Sequence, residues 1–170
     1  MTNKHCDNLV LAVYPTTRGL GFVVMEGPLS AVDWGTSEIT SGNKNEWCLS
    51  RITRLIERLH PDTIALPDWH GPEARRSERI RNLCHGVVAM ARVNGLDIRI
   101  VRLARVKRYF ATLGATTKHE RAAAVARLIP AFAHRMPPRR ARWQTEPTRA
   151  ALFDAAAVAL AYFDNEKTAA

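Results

Sequence analysis

The chain has 170 residues, of which 46% are hydrophobic and 24% are charged, and its formal net charge is +9. This length and composition exclude a disordered chain and predict one globular domain over residues 1–170. No apolar run is long enough for a membrane span, and residues 1–8 contain no apolar signal segment, so a cytoplasmic protein without a membrane partner is expected. The 3 cysteines are far apart, which favours neither a disulfide framework nor a metal site.

The first third of the chain predicts three short strands. Residues 8–14 are almost all apolar, as in a strand buried on both faces, and Pro15 ends the run. A turn containing Gly19 leads into a second apolar run, residues 20–25, so the pair is predicted to form a β-hairpin. Residues 29–34 form a third run after another turn.

The middle of the chain predicts a helix, a strand, a second helix and a fifth strand. Apolar residues at helical spacing indicate a first helix over residues 44–59, and a buried strand over residues 63–66 ends before Pro67. A second helix is predicted from Pro72 to residue 94, followed by a strand over residues 97–101. Strand, helix and strand at this spacing predict a parallel βαβ unit with a right-handed crossover.

The last third is predicted to be helical and is strongly basic. A short helix is expected over residues 105–113, and a capping box at Thr117 opens another helix that ends near residue 128. A proline-containing loop then precedes a final helix from Pro147 to Tyr162 or beyond. The predicted order, β-β-β-α-β-α-β-α-α-α, is that of a three-layer α/β domain.

Positive charge is concentrated in one segment. Residues 99–142 contain 12 Lys or Arg and one acidic residue, Glu120. Such an asymmetry is typical of a protein with a polyanionic partner, and nucleic acid is the favoured partner. A solvated basic surface without a partner would have the same composition, so both interpretations stay open at this point.

Two aspartates are candidates for chemistry. Asp154 is predicted to lie mid-helix, two turns beyond any cap position, among alanines, where a carboxylate needs a metal or a donor from elsewhere. The simpler alternative is an ion pair with an arginine such as Arg149. Asp68 ends the predicted strand after Pro67, a place typical of active sites in α/β sheets and equally common in ordinary turns.

Several basic side chains are candidate phosphate contacts. Trp143 follows the basic cluster of residues 139–142 and adds a flat surface for stacking. The alternative is that Trp143 packs into the core and that the basic loop has no function. For any one of the cations, a solvated helix face is an equal alternative. The nucleic-acid-binding candidates are Arg75, Arg76, Arg79, Lys107, Arg108, Lys118, Arg139, Arg140 and Arg142.

Four segments together resemble the RuvC family of Holliday-junction resolvases, within the ribonuclease-H-like superfamily. They are the hairpin LAVYPTTRGLGFVV, the strand TIALPDW, the segment RLARVKRYFATLGATTKHERAAAVARL and the final helix FDAAAVALAY. The resemblance implies a five-stranded mixed sheet with three antiparallel and two parallel strands and helices on both faces. It also implies junction DNA as the partner and a homodimer that matches the two-fold symmetry of the junction.

The resemblance further implies two Mg²⁺ or Mn²⁺ ions held by four carboxylates in an active enzyme. Tyr14 and Pro67 stand at two of the acidic positions, and Asp68 follows one residue late. Asp154 matches the last carboxylate, while Ala151 stands at an often acidic position. Asp68 and Asp154 are therefore the predicted catalytic and metal-binding residues.

Four functions follow from these observations. The first is a RuvC-like protein that binds branched or structured DNA with a degenerate catalytic site, without a metal cofactor. The alternative is a divalent-metal-dependent endonuclease with a rearranged acidic site that uses Asp68, Asp154 and Glu73. A protein-interaction subunit would use the same basic face, and an actin-like ATPase is disfavoured because 170 residues cannot supply its two lobes.

Overall fold

The computed structural model describes residues 8–141 and 143–169, which are organised around a five-stranded mixed sheet. The strands lie in the order β3-β2-β1-β4-β5. They are β1, Leu9–Pro15; β2, Gly19–Glu26; β3, Ala31–Glu38; β4, Thr63–Pro67; and β5, Asp97–Val101. β2 pairs antiparallel with β1 and β3, whereas β4 pairs in parallel with β1 and β5. The predicted sheet is confirmed, including the parallel βαβ unit.

Among the described residues, five α-helices cover the sheet, as the sequence predicts. They are α1, Lys44–Leu59; α2, Glu78–Val93; α3, Leu103–Ala111; α4, Lys118–Leu128; and α5, Ala150–Ala169. A 3₁₀ helix over Pro130–Arg135 lies in the loop predicted after α4. Within residues 8–141 and 143–169, no helix combines the length and apolarity needed to cross a bilayer.

The predicted start of α2 at Pro72 is wrong, because the helix begins six residues later at Glu78. Ser77 caps it by accepting a hydrogen bond from the Ile80 amide. Arg75 has φ 25°, a left-handed backbone conformation that an α-helix of L-residues does not continue through. Arg75 and Arg76 therefore lie on a loop rather than on a helix face.

The helices form two cores on opposite faces of the sheet. Alternate β1 side chains, such as Leu11 and Val13, pack under α1 and α2. The intervening side chains, Val10 and Ala12, pack under α3, α4 and α5. Because side chains alternate along a strand, Tyr14 also lies on the α5 face, where it packs against the same core.

The predicted start of α5 at Pro147 is also wrong, because the helix begins at Ala150 after a turn in which the Ala150 amide donates to the Pro147 carbonyl. Asp154 is consequently one turn into the helix and not two turns beyond its cap. The helix is apolar on nearly all sides, as expected for a helix buried in a core.

Glu120 closes the predicted capping box at the start of α4, which is confirmed. Its Oε2 accepts from the amides of Thr117 at 2.9 Å and Thr116 at 2.8 Å, while the Glu120 amide donates to Thr117 Oγ1. These backbone hydrogen bonds favour the carboxylate and lower the pKa of Glu120 to about 2.

We expect Glu120→Ala to be less stable than the parent protein at neutral pH, and the difference to shrink in acid. Because the folded pKa lies below the ordinary value of 4.5, this stabilisation is present above that value and is lost as the pH falls toward about 2. Thermal unfolding across this window measures the effect. Glu57→Ala, which removes an exposed charge from α1, is the control; a difference between Glu120→Ala and parent that does not change with pH would contradict the prediction.

Candidate nucleic-acid interface

The parallel strands β1 and β4 end at the same edge of the sheet, and a cavity of 320 Å³ lies beyond their ends. In α/β sheets, ligands bind at this edge because loops and helix ends meet there. We call this space the strand-end cavity. Its polar lining residues are Tyr14, Asp68, Glu73, Arg75, Arg76, Lys118, Arg121 and Asp154.

Tyr14 brings a neutral phenol to the cavity. Burial raises its pKa, and the nearby Asp154 carboxylate adds to this shift, so the phenol stays protonated at neutral pH. The guanidinium carbon of Arg76 lies 4.8 Å from the centre of the Tyr14 ring, a cation–π contact, and Arg76 also donates to the Pro15 carbonyl at 3.2 Å. A charged donor therefore covers the end of β1.

Asp154 is paired with a cation inside the same cavity. Its side chain is only 16% exposed, and Oδ2 lies 3.0 Å from Nζ of Lys118. The Lys118 ammonium also contacts Glu146, so two carboxylates share one cation. The sequence predicts that Asp154 needs a donor, and Lys118 of α4 is that donor. Arg149, the alternative partner, is exposed.

Burial affects the ionisation of both members of this pair. It raises the pKa of Asp154 above the ordinary value of 3.8, and Lys118 offsets part of that shift. Burial also lowers the pKa of Lys118, but Asp154 and Glu146 outweigh this and raise it above 10.5. Lys118 is therefore a fixed cation at neutral pH.

Asp68 lines the cavity, but its carboxylate also organises the backbone. Oδ1 accepts hydrogen bonds from the amides of His70 at 2.9 Å and Gly71 at 3.3 Å. This is the turn that an Asp commonly forms after a strand. Asp68 and Asp154 line one cavity, and each carboxylate already has donors.

A second cavity of 570 Å³ adjoins the first and shares Lys118, Arg121 and Asp154 with it. It runs between α4, α5 and the loop before α5. Arg139 and Arg140 line its other side. We call the cationic lining of the two cavities the basic trough, which consists of Arg75, Arg76, Lys118, Arg121, Arg139 and Arg140.

The remaining predicted phosphate contacts do not line the trough. Arg79 donates to the Thr16 carbonyl and to Asn45, which fixes the β1–β2 turn against α1. Lys107 pairs with Glu73 at 3.4 Å, and Arg108 is exposed on α3. Arg142 lies outside the described residues.

Sequence reasoning missed Arg121. It follows Lys118 by three residues on α4, and residues at that spacing share a helix face. This periodicity could have identified it. Arg121 lines both cavities and donates to the Thr116 carbonyl at 3.0 Å.

The residues of the strand-end cavity do not fit a two-metal centre. Tyr14 offers a protonated phenol, Pro67 has no side-chain ligand, and the Asp154 carboxylate is paired with Lys118. Mg²⁺ prefers several hard oxygen ligands. Within the part of the chain that the structure describes, no group of three or more His, Cys, Asp or Glu side chains could hold a metal ion.

Comparison with solved structures identifies proteins of the same fold. A Thermus thermophilus RuvC in complex with a Holliday junction substrate matches with a TM-score of 0.66 and 17% identity, over 94% of this chain and 96% of that one. A second Thermus thermophilus RuvC structure gives 0.67 and 18%, over the same shares. The yeast mitochondrial Holliday junction resolvase gives 0.62 and 9%, over 92% of this chain and 78% of that one.

These identities are low, so the matches establish the fold, and the expected ribonuclease-H-like arrangement is confirmed. No protein-family model matches the chain, and no curated protein matches its sequence.

Proposed function

We propose that this protein binds branched DNA of the Holliday-junction type without cleaving it. The observation that carries the proposal is the cation content of the strand-end cavity. Lys118 and Arg76 place positive charge against Asp154 and Tyr14, where the resemblance implies metal-binding carboxylates. The similarity in fold to a RuvC bound to a Holliday junction substrate supports the choice of DNA substrate.

The basic trough supplies the binding surface. Phosphate contacts from Lys and Arg provide most of the affinity of proteins for nucleic acid and position it without reading its sequence. The six cations of the trough line two adjoining cavities, together with the carboxylates of Asp68, Glu73, Glu146 and Asp154. A backbone that follows the trough would pass from Arg75 and Arg76, across α4, to Arg139 and Arg140.

The proposal includes a homodimer. A four-way junction has two-fold symmetry, and a two-fold dimer presents the same trough to two equivalent strands. Sedimentation of the free protein and of its junction complex measures the stoichiometry. Two protein chains on each junction are expected.

The first test combines a gel-shift assay and a nicking assay on a labelled four-way junction. We expect the junction to be shifted equally in EDTA, Mg²⁺ and Mn²⁺, and no nicked product to form. An active metal-dependent resolvase serves as the positive control for nicking. Failure to shift any DNA would overturn the proposed function.

A metal-dependent junction endonuclease is the second candidate. Asp68, Glu73 and Asp154 line the strand-end cavity together, which is the observation that favours it. It requires a divalent ion, Mg²⁺ or Mn²⁺, to displace Lys118 from Asp154 and Lys107 from Glu73. The ion would also have to draw together carboxylates that do not form a metal-holding group among the described residues. Nicking that depends on the added metal and disappears in Asp154→Asn would establish this function instead.

Binding is expected to weaken steeply with salt. Lys118 is paired with Asp154 and Glu146, so five cations of the trough remain for phosphates. If all five contact phosphates, the slope of log affinity against log salt is about −4.5, and Arg140→Ala reduces its magnitude by about 1. Arg54→Ala removes one charge from α1, on the opposite face of the sheet, and should leave the slope unchanged. A slope near zero in the parent protein would contradict phosphate binding.

A further inference from the structure

Trp143 is strongly exposed on the loop that precedes α5. Its side chain is 87% exposed, so the alternative that it packs into the core is wrong. An isolated apolar residue on a surface has no meaning by itself. Its position matters here, because Arg139, Arg140 and Ala141 of the same loop line the larger cavity of the basic trough.

A network of hydrogen bonds fixes the loop around Trp143. The Gln144 amide donates to the Ala141 carbonyl at 3.1 Å, and the Ala141 amide donates to Gln144 Oε1 at 3.0 Å. Arg140 donates to the Gln144 carbonyl. These bonds tie together Ala141 and Gln144 on either side of Trp143, while the indole itself is exposed and accessible to a partner.

The chemistry of this surface selects a nucleobase as the partner. A flat aromatic ring beside cations that contact phosphates is the combination with which proteins bind unpaired strands. The faces of paired bases are covered by their neighbours in a duplex, so they are not available to a ring outside it. Unpaired or splayed bases expose those faces, and a branched substrate can supply them near its branch point.

We propose that Trp143 stacks on an unpaired base of the DNA that the basic trough holds. This inference rests on the proposed function and adds to it a preference for substrates with unpaired bases. Trp143 supplies the preference by stacking, and the cations supply affinity that does not depend on base pairing.

Trp47 provides a matched control within the chain. It is also exposed, at 56%, but it lies on α1, on the opposite face of the sheet from the trough. The substitutions Trp143→Ala and Trp47→Ala remove the same side chain. Because both are exposed, neither should change the melting temperature substantially.

The experiment measures affinity for a junction with two unpaired bases at its centre and for a fully paired duplex of equal length. One stacked base is worth about a 5- to 150-fold change in affinity, so Trp143→Ala should lose about that factor on the junction and little on the duplex. Trp143→Phe should retain most of the preference, and Trp143→Leu should lose it. Trp47→Ala should match the parent on both substrates.

A fluorescent 2-aminopurine at an unpaired position reports stacking directly. Its emission should be quenched on binding by the parent protein and less so by Trp143→Leu. Equal loss on junction and duplex, or unchanged affinity in Trp143→Ala, would overturn the inference while leaving the proposed function standing. If Trp143→Ala loses affinity for DNA because a protein dimer dissociates, the inference is also overturned. Absence of any DNA binding by the parent protein would overturn both the inference and the proposed function.

Discussion

Gly21→Ala is expected to cost at least about 3 kcal/mol of the free energy of unfolding, the upper end of the range for overpacked cores. A Cβ at Gly21 in β2 would overlap the backbone carbonyl of Ala151 in α5, and it would lie 2.8 Å from the Ala151 Cβ. A backbone carbonyl cannot rotate away as a side chain can. The helix would have to move off the sheet, which would also shift Asp154.

Gly35→Ala is the matched control, because it is the same change on the neighbouring strand β3. Its added Cβ would lie 3.1 Å from the edge of the Phe22 ring, which can adjust by a small rotation. Urea unfolding of the two variants should show a much larger loss for Gly21→Ala. Equal losses would mean that α5 does not approach β2 as closely as the structure shows.

Among substitutions in the strand-end cavity, Lys118→Met is expected to lower the free energy of unfolding the most. It leaves the Asp154 carboxylate, 16% exposed, without its cation. Removal of one partner of a fully buried pair costs about 3–5 kcal/mol. The Lys118 side chain is 43% exposed, so solvent screening reduces the expected loss to roughly 1–3 kcal/mol at neutral pH.

The stability lost in Lys118→Met should diminish in acid, and the direction of this pH dependence follows from the pKa of Asp154. Burial already raises its folded pKa above the ordinary value of 3.8, and removal of Lys118 raises it further. A carboxyl with a raised folded pKa contributes stability below its unfolded pKa, and that contribution is lost as the pH rises through the folded pKa. Lys118→Met should therefore approach the parent in stability as the pH falls toward 3.8 and below.

Asp154→Asn in the Lys118→Met background separates charge from packing. The amide cannot ionise, so the double variant should recover stability at neutral pH and lose the extra pH dependence. Urea unfolding of the parent, both single variants and the double variant gives the coupling energy of the pair. A coupling energy near zero would show that the 3.0 Å contact contributes nothing to folding.

Most of the fold could be predicted because its signals are local. The apolar runs of β1 and β2, the stripe of α1 and the capping box of α4 each depend on neighbouring residues. The errors of three residues or more lie at the end of β3, which runs to Glu38 rather than Trp34, and at the starts of α2 and α5. A proline can occupy the first turn of a helix, but it does not show whether the following residues continue it, and Arg75 does not.

The contacts within the candidate site could not be predicted from the sequence. The sequence identifies Asp154, Lys118 and Arg76 individually. It does not show that Lys118 pairs with Asp154, or that Arg76 lies over the Tyr14 ring. These pairs join residues that are far apart in the chain, so no local pattern encodes them.

The sequence by itself determined the order of strands and helices along the chain and the basic character of residues 99–142, because each is a property of residue type or local periodicity. Only the tertiary structure decided which side chains line the cavity beyond β1 and β4 and that Trp143 is exposed. The close approach of α5 to Gly21 and the reach of Lys118 from α4 to Asp154 depend on how the helices pack on the sheet. Such contacts arise from the sum of many burial terms over the whole chain, and no single segment contains them.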